Sequence, residues 1–319
     1  MGRENLFTWS WDMRPATVEE YDGMMVSLDR HLANLGLTPA QRPLNAALVV
    51  SSTLGLSGTP IIGGSGDRGE PFSPADILAR VHEWYAESYG DKTKIDFSPG
   101  SVVVQLHGNL WEMKMPKVWG SFQLFIHPDL TNPGNTIATK GSPPVSHNIL
   151  CSVQGMTQAY AKRLTHEEMA TLAGRFINGY EAVVCLDDLK GHDLFEEARG
   201  DYRHSVDALL TGREFGKARW DTAQCAEKVM KGLLARAGHS FPTSGPKGHD
   251  IEHLGGLVLE KLGFGVQAAD LKLVYCSPAI RYGEKKSTSE EALSAHEALV
   301  RLLHVLGKAN AHHTHWPAA

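Results

Sequence analysis

Apolar residues recur at helical spacing over residues 15–35, where Val18, Tyr21, Met25, Leu28 and Leu32 predict an amphipathic helix ending near Gly36. The next segment, Thr38-Pro39-Ala40-Gln41, reads as a cap with proline in the first turn, and Pro43 is expected to keep that turn short. Residues 56–74 are dense in Gly, Pro and Ser and read as a long loop. A helix start follows, with Ser73 as N-cap, Pro74 at the first position and Asp76 in the first turn, and Ile77, Val81 and Tyr85 carry the helix to about Gly90. The period then changes. Residues 101–107 and 118–126 are β-branched or aromatic and predict strands, with room for a short one over 109–116. A second long loop covers 127–144. Beyond it the chain reads as helical, over 147–163 and again from Thr165, whose pairing with Glu168 fits a capping box before Leu172, Phe176 and Val183.

Farther on, Phe215, Ala218, Thr222, Ala226, Val229, Leu233 and Ala237 mark one face of a long helix closed by Gly238. Lys217, Asp221, Gln224, Lys228, Lys231 and Arg236 mark the opposite, polar face. A linker with Pro242, Gly245, Pro246 and Gly248 leads into a second helix. A last helix begins at Ser287 with Glu290, or Thr288 with Glu291, and carries Leu293, Leu299, Leu303 and Leu306. The expected fold class is α+β: a mixed α/β domain with a small sheet over residues 1–190, and an all-α helical bundle with a short His-rich tail over 191–319.

Composition excludes several classes without naming one. The chain has 319 residues, 42% of them apolar and 21% charged, which is the profile of a globular protein rather than a disordered or coiled-coil one. No apolar run reaches the roughly 18–20 residues of a membrane span, and the first fifteen residues lack the apolar core of a secretory signal, so a soluble, cytoplasmic protein is expected. The four cysteines, Cys151, Cys185, Cys225 and Cys276, are too far apart for a CxxC motif and read as reduced core residues. Charge is uneven. From residue 200 onward there are 15 Lys and Arg against 13 Asp and Glu, while residues 1–199 hold 16 against 23. A weakly positive half containing nine of the sixteen histidines suits a polyanion only faintly.

Three separated motifs point further. Trp220, Ala223, Ala226-Glu227-Lys228 and Lys231 lie on the long helix; Gly248-His249-Asp250 precedes a Leu-bearing helix; Ile280-Arg281-Tyr282-Gly283 precedes a Ser/Thr-Glu-Glu-Ala helix start. In this order they resemble the HEPN (higher eukaryotes and prokaryotes nucleotide-binding) family over residues 195–308, about a third of the chain. The resemblance implies a bundle of four to five helices, a homodimer formed through it, and RNA, a nucleotide or a protein as partner, in bacterial defence or toxin-type settings. Ribonucleases of the family use an Arg followed, after four to six residues, by a His near the last long helix. That spacing is absent there. It occurs instead at Arg199 and His204, on the helix entering the module, where Gly200 takes the place of the usual polar residue. An Arg would hold phosphorane charge and a His would act as general base, so these two are the candidate catalytic pair of a metal-independent ribonuclease. A non-catalytic structural subunit is the other alternative.

Arg281 and Tyr282 are the candidate nucleotide-binding residues, a charged fork beside a stacking ring, with an Arg281–Glu284 ion pair as the structural alternative. His249 and His253, four residues apart, raise zinc ligation, but a third ligand would have to come from Glu252 or the HHTHW tail, so no metal or cofactor is expected. The loop GGSGDRG at 63–69 lacks the Lys-Ser/Thr of a P-loop and the GxGxxG spacing, and reads as a surface loop. Trp9, Trp11, Trp111 and Trp119 read as core side chains rather than a ligand platform.

Overall fold

Thr17 accepts a hydrogen bond from the Glu20 N–H and so starts α1 (Val18–Asn34), which buries Tyr21, Met24, Met25, Leu28 and Leu32 along one face. The structure is a computed structural model describing residues 3–56, 68–94, 96–118, 120–135, 143–243 and 245–312. The segment after α1 departs from expectation: α2 (Arg42–Thr53) is a full helix of 12 residues. Pro43 sits in its first turn, where a missing N–H breaks no bond, so it starts the helix rather than shortening it. Helix α3 (Pro74–Tyr89) begins as its sequence predicts, with the Ser73 hydroxyl accepting from the Asp76 N–H. The three helices and Trp9 share one apolar cluster. Asp29 on α1 ties them together by accepting from Arg42 of α2 at 3.1 Å and from the Tyr89 hydroxyl of α3 at 2.6 Å.

The chain divides into compact units between Asp96 and Phe97. The first is helical. The strands belong to the second, so the fold class is α+β but the expected division at 190/191 falls inside one core that runs from Val102 to Leu306. The reason lies in the hairpin of β1 (Ser101–Leu106) and β2 (Asn109–Lys114), which pair antiparallel with Val104 opposite Trp111. Its two-residue turn, His107-Gly108, has positive φ at both positions (47° and 80°), as a tight hairpin of this hand requires. Val102, Val103 and Val104 are all buried, so both faces of β1 are covered along these three residues, while Gln105 is exposed.

Strands β3 (Gln123–Phe125) and β4 (Ser146–Asn148) pair parallel. They replace the long strand expected over 118–126 and the first turn of the helix expected over 147–163. A 3-10 turn, Ile149–Ser152, and the short α4 (Gln158–Ala161) account for much of the remainder of that segment. Asn148 explains the change. Its fully buried amide donates to the carbonyls of His127, Asp129 and Asn132 and accepts from the N–H groups of His127 and Leu150. These bonds to the 127–132 loop were invisible to local periodicity.

The bundle follows. Helix α5 (His166–Asp188) opens with the expected Thr165/Glu168 capping box. Helices α6 (Asp193–Leu210) and α7 (Phe215–Arg236) pack together most extensively, and at Gly232 a Cβ would lie 2.6 Å from the Phe195 ring. Helices α8 (Ile251–Leu262), α9 (Ala268–Val274), α10 (Pro278–Arg281) and α11 (Ser289–His312) complete it, and α7 touches α6, α8, α9, α10 and α11. The cap of α11 is the Thr288/Glu291 alternative. All four cysteines are free; Cys225 and Cys276 are buried, and Cys151 and Cys185 half-buried. No helix among the described residues is long and apolar enough to cross a membrane.

The open edge of β1 is held by helices. The Tyr202 hydroxyl of α6 donates to the Ser101 carbonyl at 2.9 Å, and His296 Nε2 of α11 accepts from the Val103 N–H at 3.1 Å. A ring nitrogen that accepts cannot carry the proton, so His296 is neutral with its proton on Nδ1. Burial pushes its pKa from 6.5 down to about 4. Between these values the unfolded chain binds a proton that the fold does not, so stability falls as pH drops from 6.5 towards 4. The expected loss is about 3 kcal/mol at 1.36 kcal/mol per unit. Urea unfolding across this range should show a steeper fall for the wild type than for His296→Gln; equal slopes would refute the assignment.

Candidate functional site

Because α7 is surrounded by other helices, much of its expected polar face is inside. Asp221, Glu227 and Lys231 are all buried. Charges there need partners, since an unpaired buried ion is strongly unfavourable. Lys231 donates to Glu227 one turn earlier at 2.7 Å, and His249 Nδ1 lies 3.1–3.2 Å from both oxygens of the same carboxylate. Lys228, on the neighbouring face, bridges to α6 through Glu197 at 3.0 Å and Asp201 at 2.8 Å. Burial raises the pKa of the Asp201 carboxyl, and the Lys228 ammonium opposes that rise. Two of the three sequence motifs therefore meet: the Glu227/Lys231 pair on α7 and His249 ahead of α8.

The third motif docks on the other end of α7. The backbone of α10 comes so close that a Cβ on Gly216 would lie 3.1 Å from the Ile280 carbonyl oxygen. This close approach sets the Arg281 guanidinium over the Trp220 ring, with Cζ 4.4 Å from the centroid, and 5.5 Å from the centroid of Tyr282. Cation–π attraction over an indole, rather than the expected ion pair with Glu284, positions the arginine. Tyr282 is 70% exposed. Beside them Arg219 donates to the Tyr275 carbonyl and pairs with Glu291 at 3.5 Å. The result is a cation between two aromatic rings, one of them open to solvent.

The candidate catalytic pair is placed differently. Arg199 Nη1 donates to the carbonyls of Leu186 and Leu189 at 3.3 and 2.8 Å, and Nη2 to Glu196 at 2.9 Å. It caps the C-terminal end of α5 and draws the chain into α6. His204 is exposed farther along α6, on which residues five apart point about 140° away from each other. His249 and His253 do not share a helix either. Asp250 is the N-cap of α8, accepting from the His253 N–H, and His249 lies before it. Among the described residues no cluster of three or more His, Cys, Asp or Glu side chains forms a metal site. The HHTHW segment beyond His312, Trp119, and residues 63–67 of the glycine-rich loop lie outside the described residues. Trp9 is buried and stacks on Trp11, as a core reading expects, and Trp111 is half-buried beside Tyr160.

One feature has no counterpart among the expected site residues. A cleft of about 300 Å³ opens between α5 and α11 over β1, with Arg175, His296 and Glu297 in its lining. Its only signal in the sequence was a histidine placed among the leucines of the last helix, which reads equally well as a core residue.

Removing one member of the buried Glu227–Lys231 pair should be far worse than removing both. Glu227→Gln is expected to cost about 3 kcal/mol by urea unfolding, because the Lys231 ammonium keeps no full counter-charge. The double variant Glu227→Leu/Lys231→Met should recover most of that loss; equal losses would show that the pair carries no coupling. Compared with family models, curated proteins and solved structures, the chain matches none.

Proposed function

We propose that the chain is a HEPN-like binding protein whose bundle engages RNA or a nucleotide through Trp220, Arg281 and Tyr282. The observation that carries this reading is the Arg281 guanidinium, stacked 4.4 Å over Trp220 beside a Tyr282 ring that is 70% exposed. An open ring supplies a stacking face for a base, and the adjacent guanidinium supplies charge and a planar fork for a phosphate. Binding without cleavage is the favoured form. Two bonds from Arg199 hold the end of α5 and a third goes to Glu196 on its own helix, and the histidine paired with it in sequence lies on a different face of α6. The homodimer implied by the HEPN resemblance belongs to the same proposal. Leu259 on α8 and Leu273 on α9 are exposed apolar side chains available for it.

Fluorescence anisotropy with a labelled single-stranded RNA and with a labelled ATP tests the reading. Stacking on one ring contributes about 1–3 kcal/mol, so Tyr282→Ala should weaken binding roughly 5- to 150-fold. Arg281→Lys should not restore what Arg281→Ala loses, because an ammonium neither stacks on indole as a plane nor forms a fork. Unchanged affinity in both alanine variants would sink the assignment. RNA cleavage in EDTA that disappears in His204→Ala would replace it with the ribonuclease reading.

A further inference from the structure

The cleft between α5 and α11 is separate from the Trp220–Arg281–Tyr282 surface and was not anticipated. Val102, Val103 and Val104 of β1 form its floor, with Val300 from α11 beside them. Its volume, about 300 Å³, equals roughly ten waters of liquid and falls at the small end of small-molecule sites. Gly174 of α5 lies at its exposed edge. Gly179 lies hard against the strand, where a Cβ would be 2.8 Å from Val102, but a Cβ on Gly174 would meet nothing within 4 Å.

The polar groups around this apolar floor are few and of mixed sign. Arg175 of α5 pairs with Glu297 of α11 through Nη1, which leaves other guanidinium N–H groups without a partner among the described residues. Arg301, also on the lining, is bound by Asp270 through Nε at 3.0 Å and Nη2 at 2.7 Å. His296 is fully buried, and its Nδ1 has no hydrogen-bond partner among the described residues. With Nε2 accepting from Val103, that nitrogen is an N–H donor left unsatisfied, a state that costs a buried group about 1–3 kcal/mol.

Charge in the cleft is balanced: Arg175 by Glu297, Arg301 by Asp270, and His296 neutral. An anion that reached the remaining Arg175 N–H groups would set its charge beside the Glu297 carboxylate, with the arginine already neutralised. A neutral group carrying an acceptor next to a donor would not, because its carbonyl can take N–H groups from Arg175 while its own N–H meets Glu297.

We propose that this cleft binds a small, uncharged, largely apolar molecule bearing a carboxamide or lactam edge. The carbonyl oxygen takes up the remaining Arg175 N–H groups, the amide N–H engages Glu297, and the apolar body lies on the valine floor. Nothing in this assignment depends on RNA or nucleotide binding at the bundle surface.

Benzamide and benzoate, alike in shape and different in charge, are the probes. Titrations of the full chain followed by ¹⁵N NMR should show benzamide shifting the Val103 amide and the His296 ring signals. Benzoate should bind at least tenfold more weakly. Gly174→Leu fills the gap with a side chain that meets no atom at its Cβ and improves helix propensity. It should keep or raise the thermal midpoint, abolish the benzamide shifts and leave RNA affinity unchanged. The proposal fails if benzamide shifts neither signal, if benzoate binds as tightly, or if folded Gly174→Leu still binds benzamide.

Discussion

The β1–β2 hairpin has two outer edges; that of β2 is bridged by Val153 and Gln154, while that of β1 has no partner strand, and its backbone groups cannot be left unpaired away from water. That constraint organises residues 97–319. Tyr202 satisfies the Ser101 carbonyl and His296 the Val103 N–H, so β1 is bonded to α6 and α11 as well as to β2. The helices around the strand must approach it closely, and Gly179 permits this for α5, which supplies neither side chain. Accepting a backbone N–H also fixes the ionisation state and tautomer of His296, and with them the character of the cleft above the strand.

Helix α7 obeys a related rule by electrostatic means. A helix packed against five others has little solvent-facing surface on which to place charge, so its ions are spent on its neighbours. Lys228 is committed to α6, and Glu227 to Lys231 and to His249 ahead of α8. The resemblance-bearing residues on this helix thus divide into two kinds. Glu227, Lys228 and Lys231 hold the bundle together, while Trp220 supports an arginine near an exposed ring. Residues quoted for one resemblance can have different surroundings on the same helix, and only the neighbours tell them apart.

What could be read from the sequence was what a few adjacent residues decide. Ser73 with Asp76 and Thr165 with Glu168 start helices by bonds that span three residues, and both were legible. The periodic faces of α1, α3 and α5 were equally clear. The reading failed where a distant partner decided the outcome. Asn148 belongs to the loop at 127–132, so a segment with helical composition became a strand and a tight turn. Asp221 and Lys231 looked solvent-facing because the burial of α7 is set by five packed helices, from α6 just before it to α11, and not by its own periodicity. Pro43 was a local error, a helix-starting residue taken for a breaker. For the site, Arg281 and Tyr282 were picked by residue type, but not the Trp220 ring that orients the arginine. Arg199 matched a spacing, yet the carbonyls it caps come from the preceding helix.

The bond from Val103 to His296 spans 193 positions of sequence. A ribosome adding about 5–20 residues per second needs roughly 10–40 s to deliver the second partner after the first. Throughout that interval the hairpin can form, but its open edge has neither the imidazole nor α11 to cover it. Residues 3–94, whose described core closes among α1, α2 and α3, face no such delay. During synthesis the edge of the valine-rich strand therefore waits for its cover until α11 emerges, and over that interval it is open to pairing with another strand edge.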